Sequence, residues 1–190
     1  RPAPQLLVVT KFHPAEDIAL LAELGVEDVA ENREQEARAK AQELEQLRFH
    51  MIGQIQTKKA NHVARWATSV HSVDSVKLAN ALDRGVSLAK ERGQRENNLP
   101  IFIQVSADGD TSRGGVIREE LDEVIESVEA AEHLEFAGLM VVPPLDADAQ
   151  EVFSTVRADV DRLSERLGRQ LKLSAGMSAD MDAAIAAGTD

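Results

Sequence analysis

The stretch Leu6-Leu7-Val8-Val9-Thr10-Lys11-Phe12-His13-Pro14 decides the fold of this chain. Its apolar part predicts a buried strand, which Phe12-His13-Pro14 ends before an amphipathic segment typical of a helix. Lys11 then lies at the carboxyl end of the first strand of a β/α series, the end where such folds place their chemistry. An amine in partly apolar surroundings there can attack an aldehyde carbon and form a Schiff base, but a solvated strand-end lysine is the plainer interpretation of Lys11 alone.

Strand-like and helix-like segments alternate along the whole chain. The apolar runs predict strands at 5–11, 26–30, 48–52, 69–73, 100–105, 134–142 and 171–173. The amphipathic runs predict helices at 14–24, 32–47, 57–66, 75–92, 118–132, 147–167 and 178–187. Strict alternation of this kind predicts a parallel sheet with right-handed crossovers.

These β/α pairs fit two α/β architectures: a TIM-type (β/α)8 barrel that lacks its last unit, or an open doubly wound sheet. No Gly-x-Gly-x-x-Gly follows the first strand, which argues against a dinucleotide-binding sheet. We therefore expect a single barrel domain over residues 1–190. The chain ends at Asp190, where an eighth strand is expected to begin.

The composition excludes several classes of function. The formal net charge of −12 argues against a nucleic acid or an anionic membrane as the main partner, although backbone amides can still bind a small phosphorylated ligand. The absence of cysteine excludes disulfides, thiolate catalysis and Cys-ligated metals. No apolar run approaches the ~20 residues of a membrane span and no signal peptide is visible, so we expect a cytoplasmic protein. The acidic surface and the scarcity of aromatic residues favour a monomer.

The clearest candidate for an anion site follows the seventh predicted strand, at Ser174-Ala175-Gly176-Met177-Ser178. Loops after the strands of a barrel share one face, so this segment is expected on the same face as Lys11. Gly176 permits close backbone approach, Ser178 is a suitable N-cap, and the first-turn amides of the next helix favour an anion. An ordinary capped helix explains the same residues equally well.

Other polar residues have plainer interpretations. His50 lies in an apolar strand and is expected to be a hydrogen-bonded core residue. The charged residues of the second helix are expected to form a solvated face with helical charge pairs: Glu34, Glu36, Arg38 and Lys40. No metal site is expected, because the remaining histidines share no spacing with carboxylates: His13, His62, His71 and His133.

Several blocks resemble one family in their order and spacing, and the resemblance covers essentially the whole chain. They are Val8-Val9-Thr10-Lys11, Glu31-Asn32-Arg33-Glu34-Gln35-Glu36, His50-Met51-Ile52-Gly53-Gln54-Ile55-Gln56-Thr57-Lys58, Gly138-Leu139-Met140 and Ser174-Ala175-Gly176-Met177-Ser178-Ala179-Asp180-Met181. The family is that of the pyridoxal phosphate homeostasis proteins, whose barrel is similar to the N-terminal domain of alanine racemase.

The resemblance implies a barrel that carries pyridoxal 5′-phosphate (PLP) as a Schiff base on Lys11. It places the phosphate among Ser174, Gly176, Met177 and Ser178, and the ring near Asn32 and Met140. Members of the family are thought to buffer or deliver PLP. The resemblance therefore implies effects on amino-acid and keto-acid metabolism, PLP-dependent apoenzymes as partners, and no catalytic residue.

Two departures from the family pattern bear on binding. Ala30 stands where the family usually has glycine, a small change that leaves the pocket intact. The family's N-terminal helix and its final strand, with the Arg-Ile-Gly segment that completes the phosphate cup, are expected to be missing from this chain. If so, PLP is held weakly or not at all in this form.

Three other functions compete with PLP storage. A PLP-dependent racemase needs acid–base groups on both faces of the α-carbon; alanine racemase uses a tyrosine from an added domain, and this chain has no tyrosine. A class I aldolase also uses a lysine Schiff base and a phosphate loop, but the family blocks and the strand-one position of Lys11 argue against it. An interaction protein with an inert Lys11 would fail to bind PLP.

Overall fold

The computed structural model describes residues 2–190. Its sheet has seven parallel strands, which lie side by side in the order in which they occur in the chain. Each predicted apolar run contributes one strand, which confirms the predicted α/β architecture. The strands are β1 (Val8–Val9), β2 (Asp28–Glu31), β3 (Arg48–Met51), β4 (Val70–Val73), β5 (Leu99–Gln104), β6 (Leu134–Met140) and β7 (Lys172–Ser174).

Helices connect successive strands and cover the outer face of the sheet. Their ends lie inside the predicted ranges, and Thr57–Lys59 forms a 3-10 turn rather than the first turn of a longer helix. No helix within residues 2–190 is long and apolar enough to cross a membrane. The helices are α1 (Ala15–Glu23), α2 (Glu34–Glu43), α3 (Ala60–Trp66), α4 (Val76–Glu91), α5 (Arg118–Ala130), α6 (Ala149–Leu167) and α7 (Met181–Ala187).

The sheet curves into an incomplete barrel with an inner and an outer face. The evidence is a hydrogen bond of 2.6 Å between His71 Nδ1 on β4 and Ser174 Oγ on β7, two strands that are separated in the sheet by β5 and β6. Only a curved sheet allows this contact. The main apolar core lies between the outer face and the helices, where Leu82 and Phe153 pack against β5 residues such as Ile101.

The barrel is open between β1 and β7. The prediction of a buried strand at 5–11 is wrong: β1 has two residues, and Leu6 and Val9 are 63% and 44% exposed. Val8 and Val9 pair only with β2 within the described range, so no second strand covers them. Asp190 bridges the gap, because its N–H donates to the Leu173 carbonyl (2.9 Å) and its own carbonyl accepts the Gln5 N–H (2.8 Å). Asp190 therefore lies where the eighth strand was expected.

Candidate functional site

Lys11 lies immediately after β1, at the carboxyl ends of the parallel strands. Its side chain is exposed, and its ammonium group makes no hydrogen bond or ion pair with any other residue in the range 2–190. From the sequence we expected partly apolar surroundings for the Lys11 amine. The structure instead leaves this amine exposed to solvent.

The backbone on both sides of Lys11 is held by side chains of α2. The carbonyl oxygen of Thr10 accepts hydrogen bonds from Lys40 Nζ and from the His13 N–H, each at 3.1 Å. The N–H of Phe12 donates to Glu36 Oε1 at 2.7 Å. The turn that carries Lys11 is therefore fixed to a helix, while the Lys11 side chain is not.

Lys40 itself is buried between two carboxylates. Its Nζ lies 2.6 Å from Glu31 Oε1 and 2.6 Å from Glu36 Oε1, and Thr10 Oγ1 donates to the same Glu31 oxygen at 2.9 Å. Burial alone would lower the pKa of Lys40, but the hydrogen bonds that Lys40 donates to Glu31 and Glu36 outweigh burial and raise it. The hydrogen bond from Lys40 lowers the pKa of Glu36. Lys40 is thus held as a cation.

The predicted solvated face of α2 is therefore wrong for part of that face. Glu34 and Lys40 are each only 8% exposed. The signal was present in the sequence: Ala37, Lys40 and Leu44 follow one another at the spacing of a helix face that packs inward. A lysine within that stripe needs buried carboxylate partners, and Glu31 at the end of β2 provides one.

Phe12, the residue after Lys11, has a left-handed backbone conformation with φ of 67°. This region is unfavourable for a bulky residue and costs about 1 kcal/mol or more, so the surrounding contacts must stabilise it. The bond to Glu36 is one such contact, and the Arg33 guanidinium, 5.4 Å from the centre of the Phe12 ring, is another. The unfavourable backbone conformation directly after Lys11 makes this turn a candidate functional feature.

Asn32 lies at the end of β2, next to the Lys11 turn. Its backbone is packed so closely against Gly53 that any side chain at position 53 would overlap the Asn32 carbonyl group. The Ile52 N–H donates to the Glu31 carbonyl oxygen (3.0 Å), and Ser72 Oγ donates to the Gly53 carbonyl oxygen (2.5 Å). The loops after β2 and β3 are thus packed together and hydrogen-bonded at the end of the barrel where Lys11 lies.

Met140 and Ser174 are neighbours at the carboxyl ends of β6 and β7, where they are paired in register. Met140 is buried, with 7% exposure, and its carbonyl oxygen accepts the Val105 N–H at 2.9 Å. Ser174 is half-buried and directs its hydroxyl group inward, to His71. Both residues therefore lie at the predicted end of the barrel.

The residue at the N-cap of α7, the helix after β7, is not the one that we predicted. Ser178 is not an N-cap: α7 begins at Met181, and Ser178 lies in the preceding turn, exposed to solvent. Asp180 occupies the N-cap position, and its Oδ1 accepts the Met177 N–H at 2.6 Å. The Asp180 carboxylate therefore binds the backbone amide of Met177, one of the residues that the resemblance places around the phosphate.

Gly176 allows this loop to lie against α7. Its φ of 109° is in the region that favours glycine, and an added Cβ atom would lie 2.9 Å from Ala184 Cβ. Met177 is 54% exposed beside it. The loop thus presents its backbone and the Ser178 hydroxyl group at the same end of the barrel as Lys11.

A chain of hydrogen-bonded side chains crosses the inner face and ends at Ser174. The successive contacts are Asp28 Oδ1 to His50 Nε2 (2.8 Å), His50 Nδ1 to Ser69 Oγ (2.5 Å), Ser69 Oγ to His71 Nε2 (2.8 Å) and His71 Nδ1 to Ser174 Oγ (2.6 Å). We call this chain the inner relay.

The inner relay confirms that His50 is a hydrogen-bonded core residue. It also includes His71, for which the sequence indicated no role. Burial lowers the pKa of His71 to about 3 and lowers that of His50, although Asp28 opposes the shift at His50. Both imidazoles are therefore neutral at pH 7. Within residues 2–190 no group of three or more His, Cys, Asp or Glu side chains is arranged to hold a metal ion.

Comparisons with known proteins show that this chain is similar to one group of related proteins. A family model described as the alanine racemase N-terminal domain matches residues 1–188. A pyridoxal phosphate homeostasis protein of Corynebacterium glutamicum is 55% identical over 186 residues, which cover 97% of this chain and 84% of that protein. The protein of the same name from Mycobacterium tuberculosis is 42% identical over 200 residues, covering 97% of this chain and 78% of that protein.

Solved structures with the same fold include PipY of Synechococcus elongatus, with PLP bound. It superimposes with a TM-score of 0.87 at 33% identity, and the match covers 100% of this chain and 89% of PipY. An alanine racemase of Clostridium difficile in complex with cycloserine has a TM-score of 0.67 at 15% identity and is covered over 50% of its length, a similarity of fold alone.

Proposed function

This chain belongs to the pyridoxal phosphate homeostasis protein family, and we propose that it binds PLP on Lys11 and takes part in controlling the supply of PLP in the cell. One observation carries the assignment of Lys11. Helix α2 fixes the backbone before and after this residue, whereas its exposed amine has no partner in the range 2–190.

The comparison of Lys11 with Lys40 supports this choice. An amine must be uncharged to attack an aldehyde. Lys40 is held as a cation by Glu31 and Glu36, so its role is to stabilise the turn that carries Lys11. Lys11 has no carboxylate partner of this kind. When bound, PLP would supply an aldehyde carbon as the electrophile for the Lys11 amine.

The loop after β7 is the proposed seat of the phosphate, with Gly176, Met177 and Ser178 around it. The Gly176 backbone carries no side chain that would block an anion, and the Ser178 hydroxyl group has no hydrogen-bond partner within residues 2–190. The Met177 amide becomes available to the phosphate only if Asp180 releases it.

We propose that the PLP ring lies at the carboxyl ends of the strands. Two residues would line the ring: Asn32 in the loop after β2 and Met140 at the end of β6. Ser174, next to Met140 in register, completes the set at the inner face. These assignments agree with the family resemblance and with the positions of the strand ends.

Storage and delivery of the cofactor fit this site better than racemisation. Racemisation needs a second acid–base group on the far face of the substrate, and the 190 residues of this chain include no tyrosine for that role. The relatives named above are called homeostasis proteins. We propose a monomeric cytoplasmic single-domain carrier that passes PLP to PLP-dependent apoenzymes.

Titration with PLP, followed by absorption spectroscopy and equilibrium dialysis, tests the proposed function. Wild-type protein should develop the absorption band of a lysine-bound cofactor, and Lys11→Ala should lack it while keeping the circular dichroism spectrum of the folded protein. Lys58→Ala, which removes another exposed lysine, is the matched control and should keep the band. A folded wild-type protein that develops no band and retains no PLP would contradict the proposal.

A further inference from the structure

The hydrogen bonds of the inner relay have a fixed polarity, which means that the donor in each bond is determined. Asp28 sets this polarity. Both carboxylate oxygens of Asp28 are already occupied by donors: Oδ1 accepts from Arg48 Nε (2.9 Å), and Oδ2 accepts from Arg48 Nη2 (2.8 Å) and from Gln5 Nε2 (2.9 Å). The hydrogen bond from Arg48 is the largest influence on the carboxyl group and helps to lower its pKa to about 2. Asp28 is thus an acceptor, so the His50 Nε2 that faces it must donate.

The direction of the remaining bonds follows from the neutral state of both imidazoles. With its proton on Nε2, His50 accepts at Nδ1, and the only hydroxyl proton of Ser69 is used there. Ser69 Oγ can then only accept from His71 Nε2, which leaves His71 Nδ1 as an acceptor for the Ser174 hydroxyl proton. The Phe102 ring stacks on His71, with centroids 4.3 Å apart, and keeps its imidazole in this plane.

We propose that Asp28, acting through His50, Ser69 and His71, holds the hydroxyl proton of Ser174 turned away from the ligand. Ser174 then presents only lone pairs to the site. It accepts a hydrogen bond from an N–H or O–H donor of the cofactor, namely the protonated ring nitrogen or a protonated phosphate oxygen, and it does not donate to a phosphate dianion. The identity of the ligand rests on the proposed function, whereas the polarity of the relay does not.

The polarity can be measured in the cofactor-free protein. Nitrogen-15 NMR distinguishes the two neutral forms of each imidazole, and His50→Gln and His71→Gln assign the signals. We expect both histidines to carry their proton on Nε2 at pH 7.5. A proton on Nδ1 of His71 would overturn the proposal. This experiment needs no bound PLP, so its failure is distinguishable from failure of the proposed function.

A break in the relay tests whether Asp28 controls His71. Ser69→Ala removes the acceptor of the His71 Nε2 proton, so the proton of His71 should move toward Nδ1. Ser69→Thr keeps the hydroxyl group and should restore the Nε2–H form. Ser127→Ala, which removes a hydroxyl group that donates to Asn80 outside the relay, is the control. An unchanged His71 signal in Ser69→Ala would contradict the control by Asp28.

The ligand's donor is identified by adding PLP and pyridoxal, which lacks the phosphate. In the PLP complex the His71 proton should stay on Nε2; its transfer to Nδ1 would show that Ser174 donates to the ligand and would overturn the proposal. Ser174→Ala should weaken PLP binding about fivefold, the scale of one hydrogen bond. An equal loss for pyridoxal assigns the ring nitrogen as the donor, a loss for PLP alone assigns the phosphate, and no loss for either contradicts the contact.

Discussion

Lys40 Nζ lies 3.1 Å from the carbonyl oxygen of Thr10, so a buried side chain of α2 holds the residue that precedes Lys11. The same ammonium group bridges Glu31 and Glu36, and Glu36 holds the residue that follows Lys11. The geometry of the turn that carries Lys11 thus depends on a buried group of charges, which gives separate predictions for stability and for binding.

Lys40→Met should destabilise the fold strongly. It leaves the fully buried Glu31 carboxylate without its cation, and an uncompensated buried charge costs about 3–5 kcal/mol. Urea unfolding measures the change in free energy. Arg166→Met breaks an ion pair with Asp122 in which both side chains are more than half exposed, and it should cost about 1 kcal/mol or less. Equal losses in the two variants would show that Lys40 has no special role.

Glu36→Ala should weaken PLP binding through the turn that carries Lys11. It removes the acceptor of the Phe12 N–H, so the strained turn after Lys11 loses one of its supports. We expect a loss of about 1 kcal/mol in PLP binding free energy, the scale of a single hydrogen bond. Glu43→Ala, an exposed position at the end of the same helix, is the control for dialysis measurements. Binding as tight as wild type in Glu36→Ala would separate the turn from the cofactor site.

Gly176→Ala should disturb the loop after β7 in two ways. The backbone has a positive φ, and the new Cβ atom would lie 2.9 Å from Ala184 Cβ. Gly109→Ala also has a positive φ but open space around it, so it measures backbone strain alone, about 1 kcal/mol. We expect Gly176→Ala to lose more stability than Gly109→Ala and to bind PLP more weakly. Equal unfolding free energies and wild-type affinity would argue against a role for this loop.

The buried histidines predict a loss of stability in acid. Burial lowers the pKa of His71 from 6.5 to about 3, so between these values the unfolded chain binds a proton that the folded chain does not. The contribution to stability is complete above pH 6.5 and declines as the pH falls toward 3. The lowered pKa of His50 acts in the same direction.

The measurement is urea unfolding at several pH values between 7.5 and 4.5. Below pH 6.5 the unfolding free energy of wild type should fall by about 1 kcal/mol per pH unit relative to that of His71→Gln, because one titrating group contributes at most ~1.4 kcal/mol per unit. Parallel curves for the two proteins would show that His71 does not titrate as its burial requires.

The sequence predicted the architecture well because its main signal is local. Each apolar run became one strand, and the alternation of runs fixed the parallel order. The first strand was predicted too long and too buried. The burial of an edge strand depends on residues that are distant in the sequence and pack against it. Val9 is exposed because β1 pairs only with β2 in the described part of the chain, which the apolar run itself does not reveal.

The location of the candidate site was predictable where a single strand end decides it, and less so where several side chains act together. The position of Lys11 follows from the end of the first strand. Its anchoring does not, because Lys40, Glu31 and Glu36 meet only when α2 packs on β2. The capping of α7 depended on a choice between Ser178 and Asp180, two residues with similar propensity for an N-cap.

Reductive trapping shows whether Lys11 carries the cofactor. The protein is mixed with PLP, reduced with borohydride, digested and mapped by mass spectrometry. We expect the added mass on Lys11 and none on Lys58, an exposed lysine in the 3-10 turn Thr57–Lys59. A label on another lysine of the wild-type protein, or no label on a protein that retains PLP, would contradict the account.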